Sequence, residues 1–230
     1  LVLAAASEDL RIRDRAFDAL AAVYWKPVYK YIRVKWPTSI EDAKDLTQAF
    51  FAAAFEKNFF EAYDPGKAKF QTFLRICVDR LVANARKADG RIKRGGQAEI
   101  LSLDFESAEG ELQHTPMPHG VSPEHYFYCE WVRSLFAQAV DDLRAQCQAS
   151  GKALHFALFE RYDLDPPVEG RPSYAQLAHQ FKLPETQVTN FLAFARSEFR
   201  RHLLERLRQI TGSDEEFRAE GRRLLGIEPL

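Results

Sequence analysis

The sequence predicts an all-α protein of two helical domains. Apolar residues recur at three- and four-residue steps through most of the 230 positions, and no stretch alternates as a half-buried strand does. Cap signals and Gly/Pro-rich breaks then divide the helical pattern into an earlier and a later block, with an aperiodic segment between them.

The first block covers residues 7–94. Phe17, Leu20, Ala21, Tyr24, Trp25, Val28, Tyr31 and Ile32 form one amphipathic stripe, and Pro27 predicts a kink or a restart within it. Ser39 followed three residues later by Asp42, with Pro37 just outside, is a helix-start signal. Behind it, Ala43, Leu46, Phe50, Ala53 and Ala54 recur as a buried stripe, and Glu41, Asp45, Gln48 and Ala52 fall on the outward side. Asp64-Pro65-Gly66 marks a turn, after which Phe70, Phe73, Leu74, Cys77, Leu81 and Val82 define a third helix that ends before Gly95-Gly96.

Residues 95–121 hold Gly110, Pro116, Pro118 and Gly120 with no sustained period, and are expected to be a flexible acidic linker. Residues 122–210 form the second block. Ser122-Pro123-Glu124 opens a long helix, and a shorter one follows from Lys152 to Tyr162. SYAQLAHQF begins with a Ser173/Gln176 capping box, and a turn from Phe181 to Pro184 leads into a long helix from Glu185. Leu177, Ala178, Leu183, Val188 and Leu192 fit the positions that lock a helix-turn-helix, which exposes Thr186, Gln187, Thr189 and Asn190 to meet base edges. Gly212 stops that helix, and Ser213 caps a last one in the tail, 211–230.

Net charge is −1, but the charge is segregated. Residues 67–94 carry nine basic residues against two acidic ones, residues 101–130 carry six acids and no Lys or Arg, and residues 191–210 carry five Arg against two Glu. Two basic helical surfaces fit binding to a phosphate backbone. No apolar run approaches the length that spans a bilayer, so no membrane partner is expected. The opening LVLAAA has no basic leader and does not read as a signal peptide. Three Cys at scattered spacing fit neither a disulfide framework nor a zinc site and point to a reducing cytoplasm. No phosphate-cradling Gly-rich loop, H-E-x-x-H or G-x-S-x-G is present, so neither an enzyme nor a cofactor is expected. His114, His119 and His125 lie close in sequence, but as linker histidines they are not read as a metal site.

Three stretches, EDAKDLTQAFF, KFQTFLRICVDRLVANARKADGR and SYAQLAHQFKLPETQVTNFLAFARSEFRRHLL, occur in this order. Together they resemble a bacterial extracytoplasmic-function sigma factor of the sigma-70 family. The resemblance implies a region 2 bundle and a region 4 helix-turn-helix. It implies that Asp42, Asp45 and Gln48 dock on the β′ clamp helices of core RNA polymerase. Promoter −10 DNA would meet Lys67, Lys69, Arg75, Arg80, Asn84, Arg86 and Lys87, and Phe59, Phe60 and Tyr63 would either stack on single-stranded bases or pack the core. The −35 element would meet Glu185, Thr186, Gln187, Thr189, Asn190, Arg196, Arg200 and Arg201.

Two departures bear on regulation and readout. Lys44 and Ala49 stand where the family pattern usually has acids, with Thr47 between them. A subset of such factors relieves this deficit by threonine phosphorylation, so the resemblance nominates Thr47 as a switch and a Ser/Thr kinase as a partner, beside a possible anti-sigma factor. Thr189, Phe191 and Phe194 replace frequent basic residues, and the two Phe are expected in the core, meeting the tail helix through Phe217 or Leu224. The alternative to a sigma factor is a helix-turn-helix transcriptional regulator that acts without polymerase.

Overall fold

A computed structural model describes residues 9–56, 62–87, 103–165, 167 and 170–226, leaving aside the side chains of residues 10 and 12. Every long regular element among the described residues is a helix, and none of these residues forms a strand. The helices are α1 (Leu10–Lys35), α2 (Ile40–Glu56), α3 (Phe70–Lys87), α4 (Phe105–His114), α5 (Pro123–Ala149), α6 (Ala153–Phe159), α7 (Tyr174–Phe181), α8 (Glu185–Ile210) and α9 (Asp214–Leu225). A single π-helical turn, Glu160–Leu164, follows α6. No described helix is long and apolar enough to cross a membrane. The chain divides into two compact units, Leu1–Leu135 with Leu207–Leu230, and Phe136–Arg206.

In the first unit α1 runs through Pro27 without interruption. Val23, Tyr24, Val28 and Tyr31 are buried on both sides of the proline, so packing along the whole stripe outweighs one missing backbone hydrogen bond. α2 opens on Ser39, whose Oγ accepts the Asp42 N–H at 3.0 Å, and buries Ala43, Leu46, Phe50, Phe51 and Ala54. α3 buries Phe70, Leu74, Val78 and Val82.

The segment expected to be a flexible linker contains α4. Asp104 caps it by accepting the Ser107 N–H at 3.0 Å, and Phe105 packs edge-on against Trp25 with ring centroids 5.7 Å apart. Two of its three acids are paired: Glu109 takes Arg33 bidentately at 2.8 and 3.0 Å, and Glu111 accepts Lys26 at 2.6 Å and Lys30 at 2.8 Å. Ten residues interrupted by Gly110 are too short to show a clear period, and the apolar face is one turn wide. The tail helix α9 belongs to this unit, with Phe217 buried and the Arg208 guanidinium 4.5 Å from its ring centroid.

In the second unit Leu143, Cys147, Phe156, Leu158, Phe159, Leu177, Val188, Leu192 and Ala195 form the core, and Ala178 and Leu183 pack against it half-buried. Phe191 and Phe194 also pack here: Phe191 stacks on His155 at 3.8 Å between centroids, and the Lys152 ammonium lies 4.0 Å from the Phe194 ring.

Candidate functional site

The α7–α8 pair is built from local rules. Ser173 accepts the Gln176 N–H while the Gln176 side chain accepts the Ser173 N–H, a complete capping box. α7 then stops because Lys182 takes a left-handed conformation, φ 55°. Leu183 donates its N–H to the Ala178 carbonyl at 2.9 Å, which tucks its side chain toward the core, and Pro184 precedes α8, where its missing N–H needs no partner. The start of α8 is thereby presented to solvent. Glu185, Thr186, Gln187, Thr189 and Asn190 are all exposed. The exposed stripe continues through Ala193, Ser197 and Arg200 at helical steps. Ala193 and Ser197 escaped the sequence reading because small residues carry no charge signal, yet their size lets another surface approach the helix closely.

The three Arg assigned to the −35 element are not equivalent. Arg196 is held by Asp163 at 2.8 and 3.1 Å and by the Tyr174 hydroxyl at 3.4 Å, and it lies over the Tyr162 ring. Those hydrogen bonds raise its pKa above the ordinary guanidinium value. Arg201 pairs with Glu198 and Glu205 at 2.8 and 2.7 Å. Only Arg200 is exposed without an ion pair among the described residues. Arg196 is therefore a structural residue of this unit, which sequence spacing did not reveal because Asp163 is 33 positions away.

α3 shows the same division. Arg75, 20% exposed, contacts Asp79, the Tyr31 hydroxyl and Glu124, and Lys35 joins the same cluster at 3.0–3.1 Å from both acids. Lys69 is paired with Glu220 of α9. Lys67 pairs with Asp64 at 3.0 Å, but 82% of its side chain remains exposed. Arg80, Asn84, Arg86 and Lys87 are exposed at the end of the helix, beside Ile76. Of the aromatics proposed to stack on bases, Phe59 and Phe60 lie outside the described residues. Tyr63 is buried, its ring 5.1 Å from that of Phe70.

On α2, Asp42 is exposed, while Asp45 and Gln48 are half-buried. Lys44 reaches Glu41 at 3.0 Å, which offsets one acid at the helix start. Thr47 is fully buried, and its hydroxyl donates to the Ala43 carbonyl at 2.7 Å. A phosphoryl group at that oxygen therefore requires the side chain first to leave its seat. Periodicity placed Thr47 between two faces and could not decide this.

Among the described residues no three His, Cys, Asp or Glu side chains gather as a metal site requires. Comparison with protein-family models, with curated proteins and with solved structures finds no match.

Proposed function

We propose that this chain is an alternative sigma factor of the extracytoplasmic-function type, which binds core RNA polymerase and directs promoter-specific initiation. The observation that carries the reading is the start of α8: a capped, tightly turned helix pair that exposes the donors and acceptors of Thr186, Gln187, Thr189 and Asn190, with the Thr189 hydroxyl donating to the Glu185 carbonyl at 3.1 Å. Arg200, further along, serves a phosphate. On the other unit, the exposed basic end of α3 supports contact with the −10 region, and Asp42, Asp45 and Gln48 of α2 support polymerase docking. In this reading helices α1–α3 correspond to region 2, the unit holding α7 to region 4, and the segment containing α4 joins them. The cytoplasm is the compartment where such a factor works.

Phosphorylation of Thr47 belongs to this proposal as a second-level control, acting on a state in which α2 has exposed the residue. There it would add about −1.5 to −2 charges where Lys44 and Ala49 leave the docking face poor in acids. The pairing of Lys44 with Glu41 favours the other reading, a polymerase-independent helix-turn-helix regulator, because it weakens the acidic face further.

The deciding experiment measures the affinity of the full chain for bacterial core RNA polymerase, followed by run-off transcription from selected promoter fragments. Tight binding with promoter-dependent transcripts supports the sigma reading. Specific duplex binding without any polymerase affinity, with or without phosphate on Thr47, supports the regulator. If Thr47→Ala leaves promoter-directed activity in cells unchanged, the phosphorylation switch is wrong.

A further inference from the structure

Two of the four carboxylates on α9 turn inward. Glu216 and Glu220 are buried, Glu220 completely, whereas Asp214 and Glu215 on the same helix are exposed. The inward pair meets the start of α3 and the turn before it. Glu216 accepts the Phe70 backbone N–H at 2.9 Å, the Gly212 N–H at 2.9 Å and the Tyr63 hydroxyl at 3.3 Å. Glu220 accepts the Lys69 ammonium, the Tyr128 hydroxyl at 3.0 Å and the Gln71 amide at 3.4 Å. Gly212 lets the chain come this close, since a Cβ there would lie 2.3 Å from the Tyr63 ring.

These donors form an anion seat: the N–H at a helix start, one lysine, two phenols and an amide. The same kinds of group bind phosphodiesters in nucleic-acid interfaces. Burial raises the pKa of Glu216, which marks the seat as partly desolvated and strengthens each hydrogen bond within it. Lys69 and the 62–71 turn belong to the surface read above as facing the promoter, yet here they are already engaged.

We propose that Glu216 and Glu220 stand in for a nucleic-acid phosphate at the start of α3. α9 is then a built-in competitor that must lift before Lys69, Tyr63 and the Phe70 N–H can engage single-stranded promoter DNA. The proposal rests on reading residues 67–87 as the promoter surface. A site occupied internally binds an outside ligand more weakly in proportion to the fraction of time it stands open.

The test uses the full chain, a fluorescent single-stranded deoxyoligonucleotide and anisotropy at fixed salt. Glu216→Gln with Glu220→Gln keeps the shapes, removes both inward charges and leaves a single acceptor oxygen on each side chain. At position 216 an amide N–H must then face either the Phe70 N–H or the Gly212 N–H, and α9 is held less firmly. Affinity is expected to rise about tenfold. The outer-face control, Asp214→Asn with Glu215→Gln, removes the same charge and is expected to change affinity less than about twofold. Adding Lys69→Ala to the inward double variant should cancel its gain.

Unchanged affinity in the inward variant, or an equal gain in the outer-face control, overturns the proposal. If circular dichroism shows that the double variant has lost helix, Glu220→Gln alone is put through the same comparison. The underlying reading is tested separately by core-polymerase binding of the wild-type chain. A gain in oligonucleotide affinity without polymerase binding keeps the competitor and removes the sigma factor. Polymerase-dependent initiation that is equal in wild type and variant does the reverse.

Discussion

The two units hold their basic residues in different ways. The first adds to its local pairs, such as Lys44 with Glu41 and Lys67 with Asp64, a set of remote ones: Lys26 with Glu111, Lys30 with Glu130, Arg33 with Glu109, Lys35 with Glu124 and Lys69 with Glu220 are separated by 76 to 151 positions. In the second, Arg144 with Asp141 and Arg201 with Glu198 and Glu205 are neighbours on one helix, and the pairs that reach other elements, Arg196 with Asp163, Arg206 with Asp142 and Arg144 with Glu160 at 3.6 Å, span no more than 64 positions. Local pairs leave a helix much as its sequence describes it. Remote pairs turn a basic helix and an acidic segment, each of which looks like a binding surface, into one neutral interior contact.

Acid should separate the two units most strongly. Arg33 holds Glu109 below the ordinary carboxylate range. Burial pushes Glu111 up, but Lys26 and Lys30 outweigh it and hold it low, and Glu124 is lowered by the N–H at its helix start and by Lys35. A carboxylate with a depressed folded pKa contributes stability that is present above about pH 4.3 and lost as pH falls through its folded value. The second unit has one comparable group, Glu198, lowered by Arg201 and Gln146. Glu216 has the opposite sign, since its pKa is raised by burial and protonation favours its folded state. Hydrogen exchange followed downward from pH 5 should show α4 opening first, before α7, with α9 still protected. Simultaneous opening of α4 and α7 would break the comparison.

The next largest effect is expected at Lys30 and Glu130, whose side chains are 4% and 2% exposed. Glu130→Ala leaves the buried Lys30 ammonium with Glu111 as its remaining carboxylate partner and should destabilise the first unit by about 2–3 kcal/mol in chemical denaturation. Glu130→Ala combined with Lys30→Met should recover part of that loss, because the buried ammonium is then gone and Glu111 keeps Lys26.

The second unit gives a smaller contrast on a single helix. Arg196→Ala removes a bidentate bond to Asp163 and a stacked contact, a loss of about 1–2 kcal/mol after allowing for its partial exposure. Arg201→Ala removes only same-helix ion pairs and a bond to Gln146, and should change stability by about 0.5 kcal/mol or less. Equal losses would mean that local and tertiary pairs are not distinguishable here.

This contrast also explains what the sequence disclosed. The helix pair at Ser173–Ile210 was legible almost in full, because a capping box, a turn and an apolar period are local signals, and the structure places Thr186, Gln187, Thr189 and Asn190 at the surface. The α9 cap at Ser213 was equally legible. Its destination was not, since Glu216 and Glu220 meet donors some 150 residues earlier and nothing in their own neighbourhood marks them as inward. The same holds for Arg75 and for the acids of α4. Charge counts find where charge is, and only tertiary contacts decide which of it remains exposed. The full burial of Thr47 was not legible for a different reason: it sits at the border of the buried stripe, where a shift of one helical step changes the outcome.

The smallest effect tests what remains exposed. If Arg80 and Lys87 on the end of α3 meet phosphates of single-stranded DNA, each releases a condensed counterion. Arg80→Gln or Lys87→Gln should then each reduce the slope of log affinity against log salt by about 0.7. Stability should stay within about 0.5 kcal/mol, because both side chains are exposed. Arg75→Gln supplies the opposite case on the same helix. Its charge is already opposed by Asp79 and Glu124, so the variant should lose stability and leave the slope unchanged. Titrations of the inward α9 variant across a salt series would measure all three. A slope change for Arg75→Gln as large as that for Arg80→Gln would mean that the cluster around Arg75 opens when nucleic acid binds, and that the interior pairs of the first unit are themselves part of the binding surface.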